Sequence, residues 1–222
     1  MTIVPIILLG IACLCLGVVY VIFKDRGDWR GFIVRSFSAL FLAIFAVTST
    51  NLSSLNNAFS LFIIIALLVN LFYEGAISSK IESPRARTII EGTSEGLIYL
   101  CLALSLVSLS SFSLLAFFGG LLLGLGCGLL VWAIKKHKSV EEILTSLFTF
   151  ISLGLMLGFG INNILSSRHM TSAIVTFISA LLLLTSALLE RFLKEGKLKR
   201  ILTSAFRMIA LIAMPLSIYL FA

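Results

Sequence analysis

Apolar residues fall into eight runs, roughly 2–23, 33–50, 58–74, 92–108, 114–134, 143–161, 170–189 and 201–221, separated by short polar stretches. Each run approaches the ~20 residues that cross a ~30 Å hydrocarbon core at ~1.5 Å per residue. None alternates with period two, and a barrel strand needs only ~10 residues. The pattern predicts an all-α, polytopic bundle of eight transmembrane helices forming one integral membrane domain over 1–222.

The polar stretches carry an independent signal. Loop 1 holds Lys24, Arg26, Arg30 and Arg35; loop 3 holds Lys80, Arg85 and Arg87; loop 5 holds Lys135, Lys136 and Lys138; loop 7 holds Arg191, Lys194, Lys197, Lys199 and Arg200. Arg168 and Arg207 are the exceptions, and a wrong helix count would scramble the alternation. Basic loops stay cytoplasmic. The expectation is therefore an inner or plasma membrane protein with both termini outside. The even loops are rich in Ser and Asn instead, as in 51–57, 108–113 and 162–167. The first run lacks a basic lead and its charges follow it, which reads as a first span rather than a signal peptide. Trp29 and Trp132 fall at the cytoplasmic boundary, where an aromatic belt is expected.

Composition agrees. Hydrophobic residues make up 59% and charged residues 12%, against about 45–50% and about 25% in soluble domains. A soluble globular enzyme, a disordered chain and a nucleic-acid-binding module are excluded. The net charge of +7 sits in short loops, so it sets orientation rather than attracting nucleic acid. Cys13, Cys15, Cys101 and Cys127 lie inside apolar runs without a CxxC, and read as small apolar fillers. His137 and His169 occupy separate loops. No metal site and no cofactor are expected, and the common hydrolase, nucleotide and zinc-protease motifs do not occur.

Glycines recur every four residues at Gly92/Gly96, Gly120/Gly124/Gly128 and Gly154/Gly158. Such ridges let helix backbones approach closely, so segments 4, 5 and 6 are expected to pack tightly in the interior; a glycine-lined substrate path is the alternative. Laying segment 3 over segment 7 aligns Asn70 with Ser186 and Glu74 with Glu190, both at an offset of 116. A parallel 4+4 duplication produces such a match, as does chance in a Leu-rich chain.

Candidate chemistry gathers on the cytoplasmic side. Glu74 and Glu190 end segments 3 and 7, and Arg35 begins segment 2. Glu91, Glu95 and Tyr99 share one face of segment 4. Arg207 lies about two turns, or roughly 10 Å, into segment 8. A charge within a span costs at least ~2.5 kcal/mol and normally has a partner or a wet cavity. The expectation is a polar pocket in the cytoplasmic third, with Arg207 as cation and Glu74, Glu95 or Glu190 as anions. The plainer reading has Arg207 reaching to the interface and both end glutamates solvated.

The stretches Asn70-Leu71-Phe72-Tyr73-Glu74-Gly75-Ala76-Ile77 and Leu189-Glu190-Arg191-Phe192-Leu193, with Ser179-Ala180-Leu181-Leu182 upstream, sit on the third and seventh of eight helices. In this the chain resembles the YhhN-type, lysoplasmalogenase-like membrane proteins. Glu74 and Glu190 stand where that family has Asp, and Gly96-Leu97-Ile98-Tyr99 lacks the His of its fourth-helix motif. The resemblance implies hydrolysis of the vinyl-ether bond of a lysoplasmalogen, giving a fatty aldehyde and a glycerophospho-alcohol. Glu74 and Glu190 would then be catalytic, one donating a proton and one activating water. Arg207 or Arg35 would hold the lipid phosphate, with Glu95, Tyr99 and Asn70 completing the substrate pocket. The partners implied are membrane lipids and a lysophospholipid-like substrate. The rival readings are a small transporter or substrate-binding transport subunit, whose ligand would sit near the midplane, and a catalytically degenerate scaffold or partner subunit.

Overall fold

The computed structural model describes residues 4–23, 29–50, 57–78, 83–109, 112–134, 139–166, 170–192 and 196–219. These form eight helices: α1 (Val4–Phe23), α2 (Trp29–Thr50), α3 (Asn57–Ser78), α4 (Pro84–Leu109), α5 (Leu114–Ile134), α6 (Val140–Ser166), α7 (Met170–Phe192) and α8 (Lys197–Tyr219). There is no strand among the described residues. Loops 24–28, 51–56, 79–82, 110–111, 135–138, 167–169 and 193–195, with most loop lysines and both histidines, lie outside them. Helices α2 to α8 are each long and apolar enough to cross a membrane, and α1 is a further apolar helix of 20 residues.

The described residues of every apolar run lie within a helix, but several helices begin earlier than hydropathy suggested. Ser83 caps α4, accepting from the Ala86 amide at 3.4 Å, and Pro84 takes the first helical position, where its missing N–H costs nothing. Ser139 caps α6 in the same way, through the Glu142 amide at 3.3 Å, and Glu141 and Glu142 occupy the dipole-favoured first turn. Glu141 also pairs with Arg85, tying the starts of α4 and α6. These polar turns project beyond the apolar band, so hydropathy alone missed them. Because α8 starts at Lys197, Arg207 is ten residues in, roughly 15 Å along the axis.

Two helix pairs are zipped at matching registers. Thr149 Oγ1 donates to Gly92 O at 3.3 Å and Asn163 Nδ2 to Leu106 O at 2.7 Å, so α4 and α6 run parallel with a constant offset. Ser172 Oγ and Ser186 Oγ each donate to an α8 carbonyl, those of Ser217 and Thr203, at 2.9 Å, fixing α7 antiparallel to α8. A spacing of 14 residues is nearly four whole turns, which returns both donors to one face.

The glycine ridges act as close contacts, with one correction to their expected placement. A Cβ on Gly120 would lie 2.6 Å from Gly154 O, and on Gly124 2.5 Å from Phe150 O, so backbone meets backbone along α5–α6. Gly92 and Gly96 make room for Thr145 and Phe148. α4 and α6 are interior, but α5 is not. Its buried residues are Gly120, Gly124, Gly128 and Val131, while Leu115, Phe118, Leu122 and Leu130 are exposed. α5 packs extensively against α6 alone. A glycine ridge reports closeness to one neighbour; it does not report how many neighbours there are.

Helix adjacency repeats on moving four helices along. α1–α2 matches α5–α6, α2–α3 matches α6–α7, α3–α4 matches α7–α8, and α2–α8 matches α4–α6. The α1–α8 and α3–α8 contacts have no counterpart of similar extent. This pairing fits the 4+4 arrangement suggested by the 116-residue offset.

Candidate functional site

α1 offers the interior a narrow stripe of Cys13, Gly17 and Tyr20, spaced at helical intervals, while Ile7, Leu8, Ile11, Leu14, Val18 and Ile22 face outward. Gly17 admits Ile212 and Met208 of α8 against the α1 backbone. The close approach carries Tyr20 inward, where its hydroxyl donates to Glu74 Oε1 at 2.7 Å. Glu74, near the end of α3, is only 2% exposed. Its other oxygen, Oε2, lies 3.7 Å from Arg35 Nη1 in the second turn of α2.

A second ionic group adjoins the first. Arg207 Nη1 donates to Glu95 Oε1 at 2.9 Å and to the Tyr73 hydroxyl at 3.5 Å, and Nη2 donates to Asn70 Oδ1 at 3.4 Å. Its guanidinium carbon sits 4.5 Å from the Tyr73 ring centroid, a cation–π distance. Thus Arg207 of α8 is pinned to α3 and to α4. The α4–α8 pair makes no extensive backbone contact, so the ion pair spans a gap that helix packing leaves open.

Between these groups lies a cavity of about 230 Å³ lined by Tyr20, Arg35, Tyr73, Glu74, Arg87, Glu91, Ser186, Glu190, Thr203 and Arg207. Arg87 and Glu91 pair at 2.7 Å on its α4 wall. The sequence-derived residues divide accordingly. Glu74, Glu190, Arg35 and Arg207 all line this one cavity. Asn70 and Glu95 stand behind its wall, holding Arg207. Tyr99 is buried in the apolar core and does not line the cavity. The two glutamates differ sharply: Glu74 is enclosed, whereas Glu190 is exposed.

Sequence reasoning missed Tyr20, Tyr73, Arg87 and Thr203. A tyrosine near the end of an apolar run reads as an interface aromatic, and Arg87 as a solvated loop charge; only the packing of six helices brings them together. On the outer side of α3 and α4, at a similar level, Ile65, Leu68, Val69, Phe72, Ile90, Thr93, Ser94 and Leu97 line an apolar groove of about 420 Å³. Thr93 turns its hydroxyl onto the Ile89 carbonyl at 2.6 Å, leaving the groove a largely hydrocarbon surface. No group of three or more potential metal ligands occurs among the described residues.

Long apolar helices with outward-facing Leu, Ile and Phe and inward-facing ion pairs define a multi-pass integral membrane protein. No protein-family model, no curated protein and no solved structure matches the chain.

Proposed function

We propose that this protein binds a lipid-like amphiphile at its basic end and hydrolyses the vinyl-ether bond of a lysoplasmalogen. The observation that carries this reading is a polar cavity walled by both Glu74 and Glu190, within a largely apolar bundle. The basic end is the cytoplasmic end on the loop-charge rule, so the ligand comes from the inner leaflet. The polar head occupies the cavity, and the alkyl chain lies among lipid-facing helices, for which the α3–α4 groove offers a surface.

The roles follow from the surroundings of each carboxyl. Glu74 already accepts from Tyr20 and faces Arg35, so it is arranged as an acceptor. Glu190 stands at the exposed side of the cavity, in exchange with water. Glu190 gives a proton to the vinyl carbon remote from the ether oxygen, and the oxygen-bearing carbon becomes an oxocarbenium ion. Water adds there and yields its proton to Glu74. The resulting hemiacetal collapses: its hydroxyl proton passes to Glu190, the carbon–oxygen bond to glycerol breaks, and Glu74 gives its proton to the leaving glycerol oxygen. The alcohol and the chain aldehyde depart, and both carboxyls return to their starting states. Arg35 and Arg207 are already committed to glutamates, so they fix the carboxyls and leave only residual donors for a phosphate.

The test is release of aldehyde from a vinyl-ether lysolipid by purified protein. Glu74→Gln and Glu190→Gln should each lower it by about 100-fold or more, the usual worth of a general acid or base. Release that survives both changes removes the two residues from the chemistry. Uptake of the lysolipid into vesicles with no covalent product would favour the transport reading instead.

A further inference from the structure

The structure assigns to Tyr20 a positioning role: α1 contributes one hydroxyl to the cavity, and that hydroxyl fixes the carboxylate of Glu74. This deepens the proposed function and rests on Glu74 being its reacting group.

Tyr20 is 4% exposed and Glu74 2%, and 54 residues separate them in the chain. The remaining inward residues of α1 are Cys13 and Gly17, with no polar side chain among them. Cys13 belongs to the apolar core, and Gly17 is the contact point for Met208 and Ile212. Burying a phenol and a carboxylate is unfavourable unless each satisfies the other. The 2.7 Å contact satisfies the phenol and Oε1; Oε2 accepts no hydrogen bond among the described residues, and its charge is met by Arg35 Nη1 at 3.7 Å. The hydrogen bond from α1 is thus the directional contact on this carboxylate, and the ion pair from α2 adds charge without fixing an angle. Tyr20 touches Glu74 rather than the bond that breaks, so its effect passes through the glutamate.

The experiment compares the wild type with Tyr20→Phe, which removes one oxygen and keeps the ring. Infrared difference spectra against the matching Glu74→Gln proteins isolate the Glu74 carboxylate band. The band should shift when Tyr20 loses its hydroxyl. Aldehyde release should show kcat lowered about tenfold, in keeping with loss of a hydrogen bond to a charged group, with KM within about twofold. Cys13→Ala, on the same stripe, should lower thermal stability and leave kcat unchanged. Superimposable bands in the presence and absence of the hydroxyl would overturn the assignment. Should Tyr20→Phe fail to fold, isotope-labelled tyrosine read in Glu74→Gln gives the reciprocal measurement, and an unmoved phenol C–O band overturns it equally. A shifted band in a protein that releases no aldehyde would sink the hydrolase reading and leave the positioning intact.

Discussion

The two halves of the chain share a pattern of helix pairing and use it for different ends. In the first half, α1 is drawn against α2 and α8, and its Tyr20 reaches a buried glutamate. In the second half, the corresponding α5 rides outside on α6, held along glycines, and none of its buried residues carries a polar side chain. The matched acids diverge in the same way. Glu74 is enclosed by Tyr20 and Arg35, while Glu190 stays exposed beside Ser186 and Thr203. A repeated helix plan therefore does not give repeated chemistry. What surrounds each glutamate depends on which neighbouring helix closes over it.

This contrast can be broken at several points. The largest stability effect is expected at Arg207→Met, which removes the Glu95 ion pair and with it the strut between α4 and α8. A dry buried pair loses ~3–5 kcal/mol when one partner goes. Here the side chains keep 11% and 13% exposure, so about 2–3 kcal/mol is expected in a denaturation series in detergent. Adding Glu95→Gln should recover more than half of that loss; no recovery would mean that the pair does not act as a unit.

The glycines give the next contrast. A Cβ at Gly124 meets backbone at 2.5 Å, whereas one at Gly17 meets the flexible end of Ile212 at 3.3 Å. Gly124→Ala should cost about 1–3 kcal/mol, the range for overpacking, and Gly17→Ala less than about 1 kcal/mol. Equal costs, read from the same melts, would mean that α5 can slide without penalty.

The smallest effect separates the acids. Glu190→Gln should change stability by no more than about 0.5 kcal/mol, as at an exposed site. Glu74→Gln should cost about 1–3 kcal/mol, because it removes the ion pair to Arg35 and the charge on the acceptor of the Tyr20 hydroxyl. Indistinguishable melting curves for the two variants would erase the asymmetry between the halves.

Particular residues mark how far the sequence could be read. The eight runs named the helices because a ~30 Å apolar layer imposes length and composition on any span, wherever it sits. The carboxyls at 74 and 190 and the arginines at 35 and 207 were visible because charge in such a setting is conspicuous. The early starts of α4 and α6 were not, since caps at Ser83 and Ser139 lie beyond the apolar band. The lateral position of α5 was not either, since a glycine ridge looks the same whether one neighbour or three lie beyond it.

The sequence by itself determined the number of apolar helices and the residues in which charge collects, because these follow from local transfer free energies. The tertiary structure alone decided that Tyr20 donates to Glu74, that Arg207 binds Glu95 and Asn70, that Tyr99 stands off the cavity wall and that Glu190 is exposed. Those outcomes depend on contacts between residues 54 to 137 positions apart, and no local preference encodes which helix faces which.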